Sequence, residues 1–145
     1  MITSRQNPKI QYVRSLMGRS RERQAATAFP AEGLRLVEEG LQAGWRPESV
    51  LYASGLGERG MALVQSLQNQ GVEVEETTSS LMEYISGTES PQGLVAVFPI
   101  RSLPVPEEMS YLLAIDAIRD PGNMGTLLRT ALAAGVQAVV VLPTS

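Results

Sequence analysis

Apolar positions recur along this chain in two alternating rhythms. Between Asn7 and about Ala28 they fall at Ile10, Val13, Leu16 and Met17, the i, i+3, i+4 spacing of a helix. Asn7 is placed to cap that helix, Pro8 suits its first position, and Gly18 should bend or break it. Phe29–Glu32 then reads as a short strand, followed by a helix over Gly33–Gln42 carrying Leu34, Val37 and Leu41 and stopped by Gly44. Val50–Ala53 reads as a strand and Gly57–Gln70 as a helix with Met61, Val64 and Leu67, closed by Gly71. Val72–Glu75 is a strand of alternating polarity, Thr78–Ser86 a short helix that Thr78 or Ser79 can cap, and Leu94–Phe98 an unbroken apolar run expected of a buried strand. Strands separated by short helices predict an α/β sandwich with a largely parallel sheet.

Three prolines at 99, 104 and 106 interrupt the rhythm. Proline lacks the N–H and fixes its backbone torsion, so residues 99–108 are expected to link a domain at 1–98 to a second unit at 109–145. There Tyr111–Ile115 predicts a strand, Asp120–Asn123 a turn, Met124–Ala134 a helix and Ala138–Leu142 another strand. One β-α-β unit cannot cover both faces of such strands, so this part is expected to begin a larger domain.

Composition narrows the chemistry. The 145 residues include no Cys and no His, which excludes disulfides, thiol nucleophiles, Cys-ligated zinc and histidine acid–base work. No apolar stretch approaches a membrane span and Met1–Arg23 lacks the apolar core of a secretory signal, so a cytoplasmic protein without a membrane partner is expected. The net charge of −3 hides an asymmetry. Residues 1–23 hold six of the twelve cations (Arg5, Lys9, Arg14, Arg19, Arg21, Arg23) and a single acid, a net +5, while the rest of the chain nets −8. A basic end on an acidic body fits a polyanionic partner, and eleven of the cations are Arg, whose planar fork suits phosphate contacts.

The run Ile115–Ala131 carries the most chemical information. It predicts a strand, a tight turn at Asp120-Pro121-Gly122-Asn123 and a helix whose free N–H groups face the carboxyl edge of the sheet, where open α/β sheets bind ligands. Met124, Leu127, Leu128, Ala131 and Leu132 form the expected buried stripe. Arg129 lies roughly 130° from its centre and is free to face a partner. The glycines form neither a G-x-G-x-x-G fingerprint nor a Walker loop. Physics alone also admits a plain type I turn with Asn123 as helix cap and a solvated arginine.

The run D-P-G-N-M-G-T-L-L-R-T-A with Gly135 resembles the first signature motif of the SpoU (TrmH-type) RNA 2′-O-ribose methyltransferases of the SPOUT superfamily. Ser4-x-x-Asn7-Pro8, Phe29-x-x-Glu32-Gly33 and Thr88-x-x-Pro91-Gln92-Gly93 are similar to the substrate-binding domain that precedes their catalytic domain. The resemblance implies a three-layer α/β/α RNA-binding domain like the ribosomal proteins that bind kink-turn RNA, then the first β-α-β unit of a knotted methyltransferase domain. It implies rRNA or tRNA as partner, with Arg5, Lys9, Arg14, Arg19, Arg21, Arg23 and Arg35 as candidate contacts. Arg35 has Glu32, Glu38 and Glu39 about it. It further implies S-adenosylmethionine in the intact enzyme but not bound by this chain, since the later pocket motifs are absent, and a homodimer for the intact enzyme. Arg129 is then the catalytic residue at the target ribose, and Asn123 shapes the site. Arginine's pKa exceeds about 12, leaving a proton acceptor primed by phosphate or a fixed cation beside the developing 2′-alkoxide. A non-catalytic RNA-binding protein and a protein-interaction module with an exposed final strand remain as alternatives.

Overall fold

The computed structural model describes residues 1–104 and 107–142, and the chain divides into two compact units, Met1–Arg101 and Ser102–Ser145. Pro106 of the expected linker and the terminal residues 143–145 lie outside the described residues.

The first unit runs α1 (Pro8–Gly18), α2 (Ser20–Ala26), β1 (Ala28–Glu32), α3 (Leu34–Gln42), β2 (Ser49–Ala53), α4 (Glu58–Asn69), β3 (Glu73–Thr77), α5 (Ser79–Ser86) and β4 (Leu94–Pro99). Its capping follows the sequence. Asn7 Oδ1 accepts from the Lys9 N–H at 2.9 Å with Pro8 behind it, and Thr78 Oγ1 accepts from the Leu81 N–H at 3.3 Å. The expected long first helix divides after Gly18, where Arg19 is extended (φ −135°, ψ 122°). Thr27 closes α2 in the left-handed region at φ 52°, a strained place for a β-branched residue.

The four strands lie in the order β1-β4-β2-β3. β2 and β3 are parallel, but β4 runs antiparallel to both β1 and β2. The expected largely parallel sheet is therefore a mixed one. A strand buried on both faces shows the same apolar run in either direction, so Leu94–Phe98 encoded burial and not orientation. Side chains alternate across the sheet. Val95 and Val97 pack with Ile10, Val13 and Leu16 of α1 and Leu81, Met82 and Ile85 of α5. Leu94, Ala96 and Phe98 point the other way, to Val37 of α3 and Val64 and Leu67 of α4. The result is the expected α/β/α sandwich. A Cβ on Gly40 would sit 3.0 Å from the Phe98 ring, so the missing side chain lets α3 approach the centre of the sheet.

The second unit is a right-sized β-α-β piece: β5 (Leu112–Ile115), α6 (Pro121–Ala133) and β6 (Ala138–Val141), with the two strands parallel. The expected stripe of α6 is buried only at Ala131; Met124 and Leu127 are partly covered, Leu128 is exposed and Leu132 is 81% exposed. Two strands of four residues offer too little surface to cover a whole helix face.

Candidate functional site

α6 begins three residues earlier than the sequence reading placed it. Pro121 is its first residue and Asp120 its cap, with Asp120 Oδ1 accepting from the Asn123 N–H at 2.7 Å. Asn123 is thus inside the first turn and not the cap, and its exposed carboxamide is left for other partners. Arg129 is exposed as expected. Its side chain runs back toward the start of the helix, the direction in which helical Cβ atoms tilt. Arg129 Nη2 lies 3.4 Å from Thr126 Oγ1, which itself donates to the Gly122 carbonyl at 3.0 Å. A Cβ at Gly125 would stand 3.4 Å from Arg129 Nη1, so this glycine leaves the guanidinium room against the helix. Six residues separate Asn123 from Arg129, about 9 Å along the axis, and the folded-back arginine shortens that gap. Just before the helix Ala117 takes φ 58°, a strained conformation in the turn that leaves β5.

The cations predicted to contact RNA separate into three kinds. Lys9 meets carboxylates on β3: its ammonium is 2.8 Å from Glu73 Oε1 and bonds Glu75. Those hydrogen bonds, Glu73 first and then Glu75, hold its pKa above the ordinary lysine value. Arg35 pairs with Glu39 at 3.1 Å on the exposed face of α3, as the acids around it foreshadowed. Arg14 and Arg5 gather instead on Tyr84 of α5, with guanidinium carbons 3.9 and 4.8 Å from the ring centroid. Arg14 also donates to the Tyr84 carbonyl, and Gln11 Nε2 donates to the Arg5 carbonyl at 2.6 Å and meets Tyr84 Oη at 3.3 Å. Arg23 folds back to the Leu16 carbonyl at 2.8 Å, while Arg19 and Arg21 are exposed. Beside the tyrosine, a cleft of about 530 Å³ runs between α1, α2 and the end of α5, lined in part by Arg14, Arg19, Glu22 and Ser86.

Sequence reasoning missed Tyr84. Its signal was an aromatic residue off the Leu81, Met82, Ile85 stripe of α5. Two motif patches that stand far apart in the sequence are joined by the fold. Glu32 Oε1 accepts from Ser86 Oγ at 2.9 Å and from the Gln92 N–H at 3.0 Å. Next to it Gly33 takes φ 97°, and any Cβ there would strike the Gln92 carboxamide. Glu32-Gly33 and Pro91-Gln92-Gly93 are two halves of one pinned corner.

A family model described as the MRM3-like substrate binding domain matches residues 7–96, the segment that builds most of the sandwich and carries Arg14 and Tyr84. The chain belongs to this family. Among its relatives, the 23S rRNA (guanosine(2553)-2′-O)-methyltransferase RlmP of Bacillus subtilis is 32% identical over 96% of this chain. The 23S rRNA (uridine(2479)-2′-O)-methyltransferase of Streptomyces viridochromogenes is 28% identical over 97% of it. The crystal structure of the AdoMet-bound rRNA methyltransferase from Sinorhizobium meliloti superposes with a TM-score of 0.78 at 30% identity, covering 97% of this chain and 53% of that one. This chain spans about half the length of the relatives it matches, 53% for the Bacillus enzyme and 50% for the Streptomyces one. The kinship to SpoU-type methyltransferases read from the sequence therefore holds, and it extends beyond the substrate-binding domain into the second unit.

S-adenosylmethionine, the AdoMet named for the Sinorhizobium structure, sets a size against which the second unit can be measured. Enclosing a ligand of that size takes a concave pocket that buries most of its surface. Among the described residues of the second unit only Ile115 and Ala131 are buried. No step through the cofactor is assigned to them.

Proposed function

We propose that this chain is the RNA-binding domain and first catalytic segment of a cytoplasmic S-adenosylmethionine-dependent rRNA 2′-O-ribose methyltransferase. The observation that carries the reading is the run Asp120–Ala131 folded as a capped helix, with Arg129 exposed and lying back over Gly125 and Thr126. In that position a guanidinium presents donors to a ribose and its phosphate. Its preferred role is a fixed cation beside the developing 2′-alkoxide, which requires no loss of the arginine proton. Asn123, in the first turn of the same helix, is proposed to shape the site. The sandwich would hold the RNA through the cations of residues 1–23 that no carboxylate takes up among the described residues: Arg5, Arg14, Arg19, Arg21 and Arg23. Lys9 and Arg35, engaged by glutamates, are proposed as minor contributors. The exposed Leu112, Leu128, Leu132 and Val140 fit burial by the rest of a methyltransferase domain, with a homodimer as the working form. No helix among the described residues is long and apolar enough to cross a membrane.

The test is transfer of a labelled methyl group from S-adenosylmethionine to 23S rRNA by the longer protein containing this chain. The expected result is label at a ribose 2′-oxygen, with Arg129→Ala reducing turnover at least a hundredfold, roughly the cost of one electrostatic donor. Full turnover by that variant removes Arg129 from the chemistry.

A further inference from the structure

Among the described residues the cations of the first unit differ in what they face. Lys9, Arg35 and Arg59 lie against glutamates, Arg59 bonding Glu38 through Nε at 2.9 Å. Arg5 and Arg14 have no carboxylate partner, yet they are drawn to the same ring. Their distances to its centroid bound the separation of the two guanidinium carbons at about 9 Å. Two like charges within that bound repel, because it is comparable to the screening length of physiological salt, about 8 Å. Tyr84 offsets part of the repulsion by offering each cation its π face. Gln11 braces the assembly by joining the Arg5 carbonyl to the tyrosine hydroxyl, and Arg14 is held a second time by the Tyr84 carbonyl. The arrangement gathers two forked donor groups on one ring, with no carboxylate beside them among the described residues.

We infer that Arg5, Tyr84 and Arg14 form a clamp for a backbone phosphate of the bound RNA at the α1–α5 face. The inference rests on the RNA-binding reading above and adds where on the domain the backbone crosses and what holds it. A phosphodiester has two non-bridging oxygens, and each guanidinium can donate to one of them, so the anion relieves the repulsion that the apo arrangement stores. Tyr84 is a positioning residue. It carries no charge, and its contribution is that the arginines need not be ordered when the RNA arrives. The adjoining cleft continues the path past Arg19, with Glu22 the one carboxylate among the described residues that line it. Recognition of this kind reads the backbone and not the base, so sequence choice must come from other contacts.

The experiment is binding of the 145-residue chain to a 23S rRNA transcript across a salt series, with folding checked by far-ultraviolet circular dichroism. Arg14→Gln and Arg5→Gln, both at exposed side chains, are each expected to weaken binding, and the double variant, which frees the clamped phosphate, to lower the slope of log affinity against log salt by about 0.7 to 0.9. Tyr84→Leu is expected to weaken binding about fivefold with the slope unchanged, because both charges remain. Tyr84→Phe keeps the ring and loses only the 3.3 Å contact with Gln11, so it should bind closer to the parent chain than Tyr84→Leu does. Arg46→Gln, whose guanidinium is taken by the Gln70 carbonyl elsewhere, is the control and should change little. If the parent chain binds with strong salt dependence but Arg5→Gln and Arg14→Gln match it in affinity and slope, the clamp is wrong and RNA binding stands. If the parent chain binds no rRNA, both fall. Should Tyr84→Leu lose its fold, the arginine variants still decide the matter.

Discussion

Glu32 offers the sharpest check on how the first unit is held together. One of its carboxylate oxygens accepts from the Ser86 hydroxyl at 2.9 Å and the Gln92 N–H at 3.0 Å, tying β1 to the end of α5 and to the loop that leads into β4. In Glu32→Ala both donors lose their acceptor. Hydrogen bonds to a charged group contribute about 1.5 to 3 kcal/mol each; with the carboxylate only half-buried and water free to replace part of it, about 2 kcal/mol for the pair is a reasonable expectation. For a domain of this size that is a fall of roughly 8 to 16 °C in the unfolding midpoint. Glu32→Gln keeps an acceptor oxygen but not the charge and should lose about half as much. Thermal denaturation of the chain measures the fall, and amide exchange at Gln92 supplies a local readout that should accelerate in Glu32→Ala before global unfolding contributes. An alanine variant with the parent midpoint and an equally protected Gln92 amide would refute the pinned corner.

Three further outcomes are expected. Thr27→Gly removes a β-branched residue from φ 52° and should raise stability by about 1 kcal/mol in denaturant titration; a loss instead would mean the threonine side chain contributes more than its strain costs. The folded state raises the pKa of Lys9, so its contribution to stability is complete below the ordinary lysine value and is lost as pH climbs through the raised one. The stability gap between the parent chain and Lys9→Met should accordingly stay constant near neutrality and close only in strongly alkaline solution, as urea midpoints at several pH values will show. Calorimetry with S-adenosylmethionine should give no tight, stoichiometric binding to this chain, and a well-formed site would overturn the burial argument.

Much of the sandwich was legible because its signals are local. Asn7-Pro8 marks a capped start, the Ile10, Val13, Leu16 stripe marks a face, and Leu94–Phe98 marks a doubly buried strand. The direction of β4 was not legible, since burial on both faces leaves no trace of orientation. Asp120-Pro121 repeats the logic of Asn7-Pro8, and reading it as a turn displaced the start of α6 by one turn. In the basic end the sequence showed the charges but not their partners. Glu73 and Glu75 reach Lys9 from more than sixty residues away, and Tyr84 collects Arg5 and Arg14 across the α1–α5 contact. Those pairings depend on tertiary packing, which periodicity does not encode. Glu32-Gly33 and Gln92-Gly93 likewise became one corner only when β1 and β4 paired.

The proposed role of the helix carrying Arg129 is ribose methylation of RNA bound by the preceding domain. Mapping of ribose methylation across 23S rRNA, in cells with and without the gene for this protein, tests it most directly. One 2′-O-methyl mark is expected to disappear with the gene, return with the unaltered gene and fail to return with Arg129→Ala. An unchanged methylation map in the deleted strain, or a mark fully restored by the alanine variant, would contradict that role.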